Sequence, residues 1–425
     1  MRFAIVAGLC AIAYTTLFSR VFVPLMEAVE SSSWARMIER PSVLWVAMGT
    51  LLLVFRTVLW FRYRPAAAAT MTDAPTLTVV IPAYNEGPMV AQSIDSVAEA
   101  SYPRGRLEIF VVDDGSTDDT WEHIQRAAAR HPGLVTTLRF QKNRGKRAGL
   151  AAGFRRARGE VVVTIDSDSV IEKRTLLSLA GAFRNPRVGA VAGKVAVYNR
   201  EEGIIPQMLH VRYALSFDLL RAVQSTYGTV YCCPGALAAY RTSVVRDVLD
   251  AWIGQTFLGA PCTYGEDRAM TNYILARGFD TVYQRTAVVH TVVPTTFKRL
   301  AKMYIRWERS YVREEIRFAR IVWSRPLKAR LIALFDTVIM NLRFPIAYAS
   351  LALLVLLVMH DPMTLVRVLG AIGLMSLFNM LYFLRTERSW SFLYGVAYSY
   401  FSFFTLFWIF PYAALTVRSR SWMTR

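Results

Sequence analysis

The chain alternates between stretches that water will not hold and one long stretch that a bilayer will not hold. Phe3 to about Pro24, Val43–Phe61, Leu331–Val358, about Leu365–Leu384 and Phe392–Val417 are apolar blocks of membrane-spanning character. Between the second and third lies a long segment of mostly soluble composition. The hydrophobic fraction of 54% and the mean hydropathy of +0.29 come from those blocks, so an ordinary soluble enzyme is excluded. The expected organisation is two N-terminal transmembrane helices in residues 1–65, a cytosolic α/β domain in 76–294 and interfacial helices in 295–330. A C-terminal transmembrane region in 331–417 and a cytosolic tail in 418–425 complete it.

The first block reads as a retained anchor, because no small-residue cleavage site follows it and a second span comes soon after. Arg62-Tyr63-Arg64 is the basic and aromatic flank of a cytoplasmic interface, and Arg56 is expected to snorkel towards it. Met359–Pro362 lacks Lys and Arg and reads as external, whereas Arg385–Ser389 reads as internal. The protein is thus expected in an inner or plasma membrane of bacterial type. Its net charge of +19 suits anionic lipid headgroups or a phosphate-bearing substrate. Nucleic acid is excluded as a partner, since the excess charge lies beside the spans and no nucleic-acid motif is present. Cys10, Cys232, Cys233 and Cys262 show no CxxC spacing and read as reduced, buried thiols.

Within the insert, short β-rich runs alternate with helical patterns, the signature of a parallel α/β sheet. Strands are expected at Leu77–Pro82, Leu107–Val112, Val135–Phe140, Val161–Ile165 and Val188–Val197, and helices at Pro88–Ala100 and Thr120–Ala129. In such sheets ligands bind at the carboxyl ends of strands. Here those ends carry Tyr84-Asn85-Glu86, Asp113-Asp114-Gly115-Ser116 and Asp166-Ser167-Asp168. One acidic strand end is an ordinary turn or helix cap; three in register point to a site.

Asp166 and Asp168 alternate on an extended backbone, so both carboxylates are expected on one side to hold Mg²⁺ or Mn²⁺ against a diphosphate. Asp113 or Asp114 suits a nucleobase or ribose. The basic turn Lys142–Arg147, with Lys146 in it, supplies positive charge nearby. Gly265-Glu266-Asp267 opens a helix over Arg268–Ala276. Asp267 is either its cap or a general base for an acceptor hydroxyl attacking a nucleoside diphospho-sugar.

These residues resemble family 2 glycosyltransferases of the GT-A fold. The resemblance rests on IPAYNE, VDDGSTDD, DSD, GED and the pair Arg306-Trp307, in that order. The phrase RWERSYVRE and the arrangement of apolar blocks are similar to the processive membrane-embedded synthases of hyaluronan and rhizobial chitooligosaccharides. The resemblance implies a UDP-sugar donor bound along Pro82, Ala83, Tyr84 and Glu86, with Asp113 and Asp114 on uridine and Lys146 near the phosphates. It implies metal on Asp168 with Asp166 supporting, and Asp267 as base with Glu266 beside it. Arg306 is implied on the diphosphate, and Trp307 beneath a growing polysaccharide acceptor. The loop Cys232–Arg241, with Cys233 and Gly235, is implied to touch that acceptor, and Trp422 to Arg425 to close over the donor.

Three positions depart from that pattern. Met303 stands where the synthases carry Gln, Ala236 follows Gly235 where Pro is common, and Met423 replaces a glycine. Three simple C-terminal spans would put Trp422–Arg425 outside although Arg418, Arg420 and Arg425 favour the inside. The last block is therefore expected to be re-entrant, or Leu331–Val358 to add a pass. The principal expectation is an inverting polysaccharide synthase that also translocates its product. A transferase that adds one sugar to a lipid is the alternative.

Overall fold

A computed structural model describes residues 1–18 and 41–419. The chain divides into two compact units, residues 1–62 with 327–404 and residues 63–326 with 405–425.

The second unit is built on an eight-stranded sheet. Its strands are β1 (Leu77–Ala83), β2 (Leu107–Asp113), β3 (Val135–Arg139), β4 (Val161–Ile165), β5 (Ser169–Ile171), β6 (Val188–Val197), β7 (Leu237–Arg241) and β10 (Asp280–Thr291). They lie in the order β3-β2-β1-β4-β7-β6-β10-β5, and β8 (Thr256–Phe257) and β9 (Ala260–Pro261) form a separate small hairpin. β1 and β4 are buried along their whole length, as β-branched runs covered on both faces must be. β1 pairs in parallel with β2 and β4, and Ala83 stands opposite Asp113. The carboxyl ends therefore open on one edge.

The sheet is mixed rather than parallel. β7 runs antiparallel between β4 and β6, and β5 antiparallel to β10. The sequence LAAYR of β7 is too short and too small-sided to announce a strand, and it falls inside the segment read as an acceptor loop. The expected strand and helix positions otherwise hold to within a few residues, with helices at Met89–Ala98, Thr120–Arg130 and Glu266–Ala276.

A helix over Phe297–Ile321 carries Arg306 and Trp307. Its buried face includes Arg309, Arg313 and Glu314, so these two arginines of the expected interfacial segment 295–330 are turned to protein rather than to lipid headgroups. Both are held by protein. Arg309 donates to Thr416 Oγ1 from Nε at 3.0 Å and from Nη2 at 2.9 Å, and stacks over Tyr412. Arg313 donates to the Tyr264 carbonyl at 2.6 Å and pairs with Glu314, which also accepts from Gln255 and Asn272. The Tyr264 hydroxyl in turn donates to the Ser419 carbonyl at 2.9 Å. The last apolar block is thus broken: the helix Phe392–Thr405 ends, and a short helix, Ile409–Leu415, belongs to the second unit and packs on the Phe297–Ile321 helix.

Among the described residues of the first unit, three helices are long and apolar enough to cross a membrane: 44–62 of the helix Pro41–Arg62, Leu327–His360 and Met363–Thr386. Arg2–Phe18 is apolar but shorter, so the described residues give one N-terminal helix of spanning length where two were expected. Arg56 does not snorkel. Its Nε lies 2.8 Å from Asp336 Oδ1, with Asp336 1% exposed, and its Nη2 reaches Met340 Sδ. A guanidinium inside an apolar bundle is held at least cost by a carboxylate on a neighbouring helix, and 280 residues of separation hide that partner from sequence periodicity.

Candidate active site

At the β1 and β2 ends, backbone and side chain fold the loops onto each other. Asn85 takes φ +53 and accepts the Thr117 amide on Oδ1, while its own amide donates to Ser116 Oγ. Asp113 is fully buried, accepts the Ser116 amide and hydroxyl on Oδ1, and pairs with Arg139 at 3.1 Å. Asp114 accepts the amides of Arg144 at 2.7 Å and Gly145 at 2.8 Å. Burial pushes its carboxyl above the usual range, against the downward pull of those two amides. The acids at the β2 end thus order the basic turn that follows. Pro82 and Ala83 are buried in β1, and Tyr84 and Glu86 are half-buried beyond it.

In the basic turn, Lys146 turns inward to the site and Arg147 away from it. Lys146 Nζ lies 2.5 Å from Asp166 Oδ1 and 3.5 Å from Glu266 Oε1. Burial alone would lower its ammonium, but Asp166 and Glu266 outweigh it and push the value above the ordinary one. Arg147 is buried against Trp252 and donates to its carbonyl and to Gln255.

Asp166 and Asp168 do not alternate along a strand. β4 stops at Ile165, and Asp166-Ser167-Asp168 makes a turn into β5. Asp166 is partly exposed, whereas Asp168 is buried and accepts on Oδ1 from the hydroxyls of Ser169 and Thr291, each at 3.2 Å. Among the described residues no group of three or more His, Cys, Asp or Glu stands close enough to hold a cation. A cation here would take protein oxygens from Asp168 and Asp166 and the rest from substrate phosphates and water. That is the donor set of a Mg²⁺ or Mn²⁺ ion serving a diphosphate.

The Glu266–Ala276 helix begins at Gly265, φ +72, where a Cβ would stand 2.0 Å from Ser310 Oγ. Asp267 Oδ1 accepts its neighbour's amide, that of Arg268, at 2.7 Å; Oδ2 accepts the Gly235 amide at 3.3 Å and faces Cys232 Sγ at 3.6 Å. Gly235 also adjoins the Lys146–Asp166 pair: a Cβ on it would lie 3.1 Å from Lys146 Nζ and 3.5 Å from Asp166 Oδ1. The acidic turn after β4 and the Gly265-Glu266-Asp267 turn therefore share one site, with Gly235 between them.

Cys233 is fully buried, its amide donating to Thr271 Oγ1, so it is Cys232 that meets the site. Nothing in the doublet Cys232-Cys233 distinguishes the two before the β7 register is known. Trp307 is 40% exposed beside Tyr213, at 6.2 Å between ring centroids, and Tyr304, at 5.6 Å. Arg306 is half-buried on the same helix. Trp422 and Arg425 lie outside the described residues; Ser419, just ahead of them, is fixed to Tyr264.

A mixed sheet with three acidic turns at one edge, and a helix-borne carboxylate facing them, defines a nucleotide-sugar glycosyltransferase, and the chain belongs to glycosyl transferase family 2. Residues 78–249 match that family. The chain is 31% identical to an N-acetylglucosaminyltransferase of Azorhizobium caulinodans over 83% of this chain and 87% of that one. It is 32% identical to a hyaluronan synthase of Streptococcus pyogenes over 82% and 83%. An N-acetylglucosaminyltransferase of Rhizobium meliloti is 36% identical over 59% of each chain. The fold is that of a Pyrobaculum calidifontis mannosyltransferase solved with GDP-Man and Mn²⁺, at TM-score 0.60 and 22% identity, over 85% of this chain and 99% of that one.

Proposed function

We propose that the protein is a processive, inverting synthase. It builds a β-linked polysaccharide containing GlcNAc, hyaluronan- or chitin-like, from cytosolic UDP-sugars and passes it across the membrane. The observation that carries this reading is the position of Gly235. Its amide donates to Asp267 Oδ2 at 3.3 Å, while a Cβ on it would meet Lys146 and Asp166, so the base and the groups assigned to the diphosphate lie on either side of a single residue. The similarity to the N-acetylglucosaminyltransferases and the hyaluronan synthase supports the sugar and the polymer.

In this mechanism the uridine lies against the loop ordered by Asp113 and Asp114, bounded by Pro82, Ala83, Tyr84 and Glu86. A Mg²⁺ or Mn²⁺ ion on Asp168, supported by Asp166, would supply charge neutralisation for the departing diphosphate. Lys146 remains an ammonium at neutral pH and adds its charge to the phosphates, while Glu266 keeps that ammonium beside Asp166. Asp267 Oδ2 receives the acceptor hydroxyl's proton as the hydroxyl oxygen bonds to the anomeric carbon and UDP leaves. Trp307 offers a partly exposed indole face to the acceptor sugar, an arrangement suited to stacking. Arg306, half-buried on the Phe297–Ile321 helix, adds its guanidinium to the diphosphate.

The test is UDP release by purified protein in Mg²⁺ or Mn²⁺, with sizing of radiolabelled product after feeding single and paired UDP-sugars. Asp267→Asn is expected to lower kcat by at least about 10³-fold while UDP binding stays within twofold. Products that never exceed one added sugar would overturn the polymerase reading, and turnover persisting in Asp267→Asn would overturn the base.

A further inference from the structure

The loop Cys232–Arg241 places two donors on one oxygen of Asp267. Oδ1 is taken by the Arg268 amide of its own helix, so Oδ2 is the oxygen turned towards the acceptor loop. There it meets the Gly235 amide at 3.3 Å and the Cys232 thiol at 3.6 Å. Cys232 is itself fixed: its carbonyl accepts Arg221 Nε at 3.3 Å, and Arg221 stacks over Phe217 at 3.9 Å. Phe217 and Arg221 belong to a π-helical turn, Ser216–Arg221, of the kind often found at functional sites.

We propose that Cys232 is a positioning residue for the reaction: its protonated thiol holds Asp267 Oδ2 in the resting enzyme and yields that oxygen to the acceptor hydroxyl. The proposal rests on Asp267 being the base. A thiol is a weak donor. It keeps the carboxylate in one rotamer when no acceptor is present, yet an alcohol hydroxyl displaces it at little cost. A stronger donor at the same place would compete with the acceptor hydroxyl for Oδ2. A methyl group would leave Oδ2 with the Gly235 amide alone.

The electrostatic surroundings agree. Burial first, and then the Asp267 carboxylate, push the Cys232 thiol up to about 12, while Arg268 and Arg221 pull it down. The thiol is therefore a donor throughout the working pH range. Asp267 is faced by Cys232, Gly235, Lys146 and Arg268, with Glu266 preceding it on the same helix. Arg221, Cys233 and Tyr240 complete the charged and titratable groups around the pair.

The experiment uses the full chain in lipid nanodiscs and three variants: Cys232→Ser, Cys232→Ala and Asp267→Asn. In the pH profile of kcat/KM, Cys232→Ser is expected to move the acidic limb down by about half a pH unit and to raise the acceptor KM several-fold. Cys232→Ala is expected to move the limb up. Limbs that coincide in all three Cys232 forms, with Asp267→Asn inactive, would overturn the positioning role and leave the base assignment standing. An active Asp267→Asn would instead overturn the base.

A second readout does not depend on turnover. Iodoacetamide labelling at pH 8, read residue by residue by tandem mass spectrometry, is expected to be slow at Cys232 in the wild type. In Asp267→Asn it is expected to be about tenfold faster, because the neighbouring negative charge is gone. Equal labelling rates would overturn the thiol–carboxylate contact itself.

Discussion

Replacing Gly265 by alanine displaces the one turn that carries both Glu266 and Asp267. At φ +72 an L-residue costs about 1–2 kcal/mol relative to glycine. The added Cβ would stand 2.0 Å from Ser310 Oγ, 2.7 Å from Ser310 Cβ and 2.8 Å from Arg313 Nη2. Ordinary contact begins near 3.4 Å, so the turn and the Phe297–Ile321 helix must separate by up to about 1.4 Å. The helix is anchored away from the turn, by Arg309 on Thr416 and by Glu314 on Gln255, so the turn moves more readily than the helix. Overpacking of this kind adds about 1–3 kcal/mol. A shift of about 1 Å in a reacting group costs about 10²-fold in rate.

Gly265→Ala is therefore expected to lower kcat for UDP release about 10²-fold, with the donor KM changed by less than about threefold, and to lower Tm measurably. The double variant Gly265→Ala/Ser310→Gly removes the two closest contacts and is expected to regain at least tenfold in kcat, although glycine in a helix costs about 1 kcal/mol. A folded Gly265→Ala enzyme with kcat within twofold of wild type would refute the claim that this turn fixes the reacting carboxylate.

Asp336→Ala leaves the Arg56 guanidinium in an apolar bundle without its carboxylate and is expected to cost about 3–5 kcal/mol in thermal or denaturant unfolding; the double variant Arg56→Met/Asp336→Leu should recover most of it. Thr416→Val removes both hydrogen bonds from Arg309 and is expected to cost about 1.5–3 kcal/mol, read as a lowered Tm. The Thr70 amide first, and then Arg184, hold the Asp73 carboxyl at about 2. A folded value below the unfolded one stabilises the fold above about pH 4 and ceases to do so as pH falls through about 2. Chemical-shift titration of Asp73 should place its midpoint there, and Arg184→Ala should raise it. Asp168→Asn is expected to raise the Mn²⁺ concentration needed for half-maximal turnover by about tenfold or more.

The catalytic edge was legible because its residues are local in sequence. Each β-rich run of β1, β2 and β4 ends on its own acids, and the parallel pairing that brings Ala83 opposite Asp113 follows from the alternation of strands and helices. What was hidden depends on long-range partners. Arg309 and Arg313 look like interfacial arginines until Thr416 and Tyr264 are seen beside them, and Arg56 looks like a snorkelling residue until Asp336 is. β7 was hidden for a different reason. Leu237-Ala238-Ala239-Tyr240-Arg241 has little side-chain volume to declare an alternation, and it is a strand because β4 and β6 leave a slot between them. The same omission left Cys232 and Cys233 indistinguishable.

The short helix Ile409–Leu415 also imposes an order on biosynthesis. Arg309 is made about 100 residues before Thr416, its partner in the buried face of the catalytic unit. At about 5–20 residues per second, some 5–20 s separate the two. Throughout that interval the nascent catalytic unit lacks the segment that covers Arg309 and fastens Tyr264, the residue beside Gly265. The unit around Asp267 is closed only when the helix Ile409–Leu415 has left the ribosome, by which time the long apolar helices among the described residues have already been synthesised. The chain order alone thus keeps a half-made protein from acquiring its finished catalytic unit ahead of its membrane segments.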